Sequence, residues 1–204
     1  MTEQLAAPRA CLSYSIDREG RLRTVDDRWL SFASGNGAPN LTPDAVLGRH
    51  IEDFIADPTT AYIYRLLYER VRGGATLRLP FRCDAPEVRR DMVLQLSPAG
   101  SGVVQCDTFV LDETPHPPIA LLDAAAPHGD TLVVMCSWCK RVRREGRWLD
   151  LEEGVQELEL LSRGPLPEIS HGVCPACIET YYPVAGLPVV EAEPELPKPA
   201  AALD

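Results

Sequence analysis

The chain lacks any run approaching the roughly 20 consecutive apolar residues that a bilayer-spanning helix needs, which argues against a helical membrane protein. Its opening, MTEQLAAPRACLSYSIDREG, has no basic start followed by an apolar core. No secretory signal is therefore expected, and the chain reads as cytoplasmic. Positive charge is also short, with 20 basic against 30 acidic residues and a net charge of −10. That balance argues against broad electrostatic capture of nucleic acid or an anionic membrane. Lysine is almost missing: only Lys140 and Lys198 accompany the arginines. Without clustering on one surface, this bias belongs to coding rather than to recognition. Absent too are a Walker loop, a Ser/His/Asp arrangement of recognisable type and kinase ATP-binding boxes, so no enzymatic activity is expected. What remains is ordinary globular composition, 45% apolar and 25% charged over 204 residues. That length holds one domain plus a small module.

Two composition breaks divide the chain. Residues 113–130, ETPHPPIALLDAAAPHGD, carry four prolines and an alanine run and read as a linker, with Leu121 and Leu122 placed to dock on a neighbour. Residues 184–204 are rich in proline and acid without strand or helix period, and read as a disordered tail. They set apart a first region, 10–112, and a module, 131–183.

In the first region, Leu12 to Ile16 reads as a strand, Asp17 to Gly20 as a turn and Arg21 to Val25 as the returning strand. Asp26 caps a helix carrying Trp29, Leu30, Phe32 and Ala33, which Gly35-Asn36-Gly37 stops. Asp57-Pro58 opens a longer helix with Ile63, Leu66, Leu67 and Val71 on one face, ended by Gly73-Gly74. Strands then follow at Thr76–Cys83, around Met92, Leu94 and Leu96, and at Val103–Leu111. This order requires an antiparallel sheet wrapped on one side by helices. SIDREGRL, DDRWL and VLGRHIEDFI followed by three strands resemble a PAS sensor domain. Asp17 and Gly20 match its Asp-x-x-Gly turn, and Gly48-Arg49 its later Gly-[Arg/Lys] step; Asp26 or Asp27 stands where Asn is usual. The resemblance implies a sensor of small molecules, redox state or light, or a pairing domain, with its ligand unread. A flavin adduct is disfavoured because no Cys lies in an Asn-Cys-Arg-Phe context. His50 reads as a hydrogen-bonded residue rather than a haem ligand. Trp29, Phe32 and Phe54 read as core, and Cys11, Cys83 and Cys106 as small buried hydrophobes.

The chemistry concentrates in the module. Cys136-Ser-Trp-Cys139 and Cys174-Pro-Ala-Cys177 are two Cys-x-x-Cys pairs with 34 residues between them. Each pair can turn two thiolates toward one point, and four soft ligands suit tetrahedral zinc. Such a gap must hold structure of its own: a hairpin about Glu145-Gly146, a helix from Glu152 to Leu161, and a final helix starting at Pro175. This layout is treble-clef-like. His171, three residues before Cys174, reads as an alternate ligand, as a donor orienting a thiolate, or as a turn residue; four Cys with His171 alongside is preferred. Lys140 and Ile178 stand where covalent haem attachment needs His. An iron–sulfur cluster and a thioredoxin-type pair fit less well than zinc. CSWCKRVRREGRW with SHGVCPAC also resembles a short C-terminal module, CxxCKxIR…SHGxCPxC, of some bacterial two-component signalling proteins. That resemblance implies a signalling context and metal binding. Lys140, Arg141, Arg143, Arg144 and Arg147 make the hairpin basic, which reads as a solvated face.

The expected fold class is α+β: a PAS-like antiparallel five-stranded sheet with helices on one side, plus a small treble-clef-like zinc module. The expected function is non-enzymatic signal sensing or regulation. A structural Zn2+ would be held by Cys136, Cys139, Cys174 and Cys177, and the module would contact a histidine kinase or response regulator. A homodimer through the first region is a further expectation. The alternatives are a redox sensor in which the zinc cluster is the oxidation switch, and a DNA-binding regulator using the basic hairpin. A small core supported by metal also predicts that Cys136→Ser unfolds the module and leaves the first region intact.

Overall fold

The computed structural model describes residues 11–123, 125–161 and 166–188. β1 (Leu12–Ile16) and β2 (Leu22–Val25) form a hairpin over the Asp17–Gly20 turn, where the Arg21 N–H donates to Asp17 Oδ1 at 2.8 Å. Gly20 has φ +83°, and a Cβ there would sit 2.7 Å from His50 Nε2. Only glycine satisfies both the turn and the imidazole. Helix α1 (Asp27–Gly35) starts because the Asp26 carboxylate accepts from the Trp29 N–H at 2.8 Å. A short α2 (Pro43–Val46) and a 3₁₀ turn (Ile51–Phe54) lead to α3 (Pro58–Arg72). Asp57 caps α3, accepting from both the N–H and the hydroxyl of Thr60. Its face of Ile63, Leu67 and Val71 is fully buried. β3 (Leu77–Arg82), β4 (Val88–Pro98) and β5 (Val104–Pro115) complete an antiparallel sheet in the order β2-β1-β5-β4-β3. Ile16, Leu79, Leu94, Leu96, Val104 and Cys106 form one core with α3. This is the antiparallel five-stranded sheet with helices packed on it that the sequence leads one to expect.

A second sheet follows, built from β6 (His128–Cys136), β7 (Val142–Arg144), β8 (Arg147–Leu149) and β9 (Leu166–Gly172) in the order β8-β7-β6-β9. β7 and β8 form the expected hairpin; Glu145 at φ +48° and Gly146 at φ +82° give its two-residue turn the left-handed conformation that suits strand twist. β9 runs parallel to β6, with α4 (Leu151–Leu161) inside the crossover. Helix α5 (Pro175–Ala185) closes the region. A separate small core joins Val133, Met135, Val142, Leu149, Leu151 and Val155 to Ile119 and Leu121.

The stretch expected as linker is therefore structured at both ends. β5 extends to Pro115, β6 begins at His128, and Leu121 between them is buried against the second sheet. The expected tail begins inside α5, and from Val189 onward it lies outside the described residues. Among the described residues no helix is long and apolar enough to cross a membrane.

Gly154 lets α4 approach β7 closely. A Cβ at this position would stand 1.9 Å from Val142 Cγ2. Gly154→Ala is expected to destabilise by about 3 kcal/mol through overpacking, despite alanine's better helix propensity. Urea unfolding of Gly154→Ala with and without Val142→Ala checks this, because the second substitution removes the clashing methyl and should recover much of the loss.

Candidate metal centre

Parallel pairing of β6 and β9 brings the two cysteine pairs together across 34 residues of sequence. Cys136, the last residue of β6, lies in register with Gly172 of β9, and the Ser137 N–H donates to the Gly172 carbonyl at 2.8 Å. The chain then turns tightly through Trp138 and Cys139. Lys140 takes φ +65°, and its N–H donates to the Cys136 carbonyl. From β9, the single residue Val173 carries the chain to Cys174, the N-cap of α5, with Pro175 as the first helical residue and Cys177 in the first turn. The N-terminal end of that helix favours negative charge on sulfur.

All four Sγ atoms lie within 4.8 Å of one another. Cys139 Sγ is 3.5 Å from Cys174 Sγ, and the Cys174 N–H donates to Cys136 Sγ at 3.4 Å. Cys136, Cys174 and Cys177 are buried, while Cys139 is half-buried. Hydrogen bonds from the Cys139, Cys174 and Cys177 thiols hold Cys136 far below the usual thiol range, as a thiolate. The same contacts to Cys136 push Cys139 and Cys177 up. Cys174 moves down to about 7, the raising contact with Cys136 outweighed by hydrogen bonds from Cys139 and Cys177, so the closely packed sulfurs hold their protons unequally. A divalent soft metal at their centre would let all four ionise, so the donor set fits such an ion. His171 is exposed on β9, in register with Met135, and lies outside this group of ligand atoms.

The centre is packed into the first region's core. Trp138, 2% exposed, stacks on Tyr181 with centroids 4.1 Å apart and on Tyr64 of α3 at 5.0 Å; Tyr64 in turn meets Tyr68 at 5.8 Å. The Tyr181 hydroxyl donates to the Pro80 carbonyl. The Arg82 N–H of β3 donates to the Trp138 carbonyl at 2.7 Å, so the cysteine turn covers the sheet's open edge. The buried Arg82 guanidinium joins Asp84, and reaches Glu152 of α4 at 2.9 Å. No local pattern in the sequence marks these residues as a seam between the two regions. The available signal was Tyr64 and Tyr68, four apart on α3 beside its aliphatic face.

The remaining cysteines are of another kind. Burial pushes the Cys106 thiol up to about 12 and raises Cys11 and Cys83. Cys106 is expected to resist iodoacetamide at pH 7.5 until the protein unfolds, because the reactive thiolate is absent. Peptide mass mapping with and without urea checks this. His50 Nδ1 accepts from the Glu52 N–H at 3.3 Å, which occupies one ring nitrogen. Three of the hairpin's five basic residues have acidic neighbours: Arg141 pairs with Asp150, and Arg144 and Arg147 both approach Glu157.

Solved structures similar to the chain are PAS domains among others. The PAS domain of BvgS from Bordetella pertussis is 21% identical, with a TM-score of 0.40, covering 50% of this chain and 76% of that one. The PAS-B domain of Cycle from Drosophila melanogaster with bound glycerol is 14% identical, with a TM-score of 0.35, covering 49% and 99%. A domain of an HTR-like protein from Haloarcula marismortui is 18% identical, with a TM-score of 0.35, covering 50% and 97%. No protein-family model and no curated protein sequence matches the chain.

Proposed function

We propose that the chain is a non-enzymatic signalling protein of the bacterial cytoplasm, in which a PAS-like input domain is coupled to a structural zinc module that contacts a histidine kinase or response regulator. Cys136, Cys139, Cys174 and Cys177 would hold the ion, and it would fix the β6 turn against the start of α5. A four-sulfur site is coordinatively closed, which suits a structural rather than a hydrolytic role. Seven cysteines present as free thiols suit a reducing compartment.

The observation that carries this reading is the continuity of the two parts. The cysteine turn shares one core with α3 and β3, through Trp138 between Tyr64 and Tyr181. A change in the sheet domain therefore bears directly on the sulfur cluster and on the surface around it. Functional assignment on such grounds is by analogy of fold, so binding is the test. Titration of the full chain against a panel of purified histidine kinases and response regulators is expected to give one micromolar-range partner, with binding lost after metal chelation. Binding to none, or binding indifferent to chelation, contradicts the reading.

A further inference from the structure

A cleft of about 480 Å3 opens at the seam between the first sheet and α5. Phe81, Leu111, Thr180 and Tyr181 form parts of its walls, and two residues of the sulfur cluster, Cys139 and Cys177, line it. Cys177 is only 6% exposed, and Cys136 and Cys174 are 0% and 1% exposed. Cys139 is the one cluster cysteine that combines partial exposure with a place on the cleft wall. Its sulfur faces that of Cys174, from the other Cys-x-x-Cys pair, at 3.5 Å.

We propose that Cys139 is an oxidation site: a small peroxide entering the cleft attacks Cys139 first, and Cys174 then closes a crossed disulfide with it. This rests on the metal-centre reading above and specifies its regulation. In the metal-loaded chain, where all four sulfurs are ionised, the Cys139 thiolate attacks one peroxide oxygen and the O–O bond breaks, giving a sulfenic acid and hydroxide. The Cys174 thiolate then attacks the sulfenic sulfur, forming the S–S bond and expelling a second hydroxide. Two thiolates lose two electrons, hydrogen peroxide accepts them, and two protons from solvent complete two waters. Closing the bond needs the sulfurs to move from 3.5 Å to about 2 Å. Two of the four metal ligands are consumed, so the ion leaves. The new link joins the β6 turn to the N-cap of α5, next to the Tyr64–Trp138–Tyr181 stack. Exposure selects the first sulfur and proximity selects the second.

The test exposes the full chain, as purified, to hydrogen peroxide, with alkylation at timed intervals and mass mapping of the peptides. Metal content per chain is measured first and judges the metal reading alone; the order of sulfur oxidation is then read on the metal-loaded chain. The expected first product is the Cys139–Cys174 link, with metal released to a chromogenic chelator on the same time course. Thr180→Trp, which narrows the cleft without touching a sulfur, is expected to slow that product about fivefold. Leu111→Trp narrows the same cleft from β5 and serves if Thr180→Trp fails to fold. A first disulfide between any other pair overturns the proposal. So does earlier oxidation of Cys11, Cys83 or Cys106, or an unchanged rate in a folded cleft variant.

Discussion

Cys136→Ser is expected to abolish metal binding and to lower the melting temperature of the whole chain, not of the cysteine module alone. The magnitude follows from two observations. Coordination of a structural zinc contributes about 10–16 kcal/mol to folding in small zinc domains, comparable with the entire stability of an ordinary domain. Cys136 is also fully buried in the same cluster as Ile63, Leu67 and Leu79, the centre of the first region's core. Losing the ion frees the β6 turn and α5, which strips Trp138 and Tyr181 from α3 and uncovers the edge of β3. Sequence alone suggests an independent module whose loss spares the first region; the shared core makes that separation untenable. Circular dichroism melts combined with limited proteolysis read the outcome. A first region that melts unchanged in Cys136→Ser contradicts the coupling.

Trp138→Ala is expected to cost about 3–5 kcal/mol, the range for removing a large buried aromatic. The indole is 2% exposed and sandwiched, so the cavity would lie between two tyrosines that cannot both collapse into it. About 0.5–1.5 kcal/mol of stacking for each ring pair belongs to that loss. Trp138→Phe should cost much less, because the buried indole N–H has no hydrogen-bond partner among the described residues. Chemical denaturation of the metal-loaded variants separates packing from coordination: metal content should stay at the parent level in Trp138→Phe. A cost below about 1 kcal/mol for Trp138→Ala would mean that the seam is not a packed core.

Local chemistry made much of the first region readable. β1 spans Leu12–Ile16 as expected, and the caps at Asp26 and Asp57 hydrogen-bond nearby backbone N–H groups. Gly73 ends α3 as expected, and Glu145-Gly146 turns the hairpin. These features depend on a few neighbouring residues, so sequence carries them. The parallel pairing of β6 with β9 does not. It joins residues some 35 apart, and TLVVMC is a continuous apolar run without the alternation that marks a half-exposed strand. The two Cys-x-x-Cys pairs marked the sulfur cluster because their spacing is itself the local geometry of a turn. What spacing could not give was the cluster's place in the fold. Tyr64 and Tyr181 lie more than a hundred residues apart, and only the folded chain sets Trp138 between them.

The central claim is that four cysteines hold one metal ion where the two parts of the chain share a core. Elemental analysis of protein purified without added metal tests it most directly. One zinc per chain is the predicted result, lost on substitution of Cys136. A chain that carries no metal, or carries iron in place of zinc, contradicts the account.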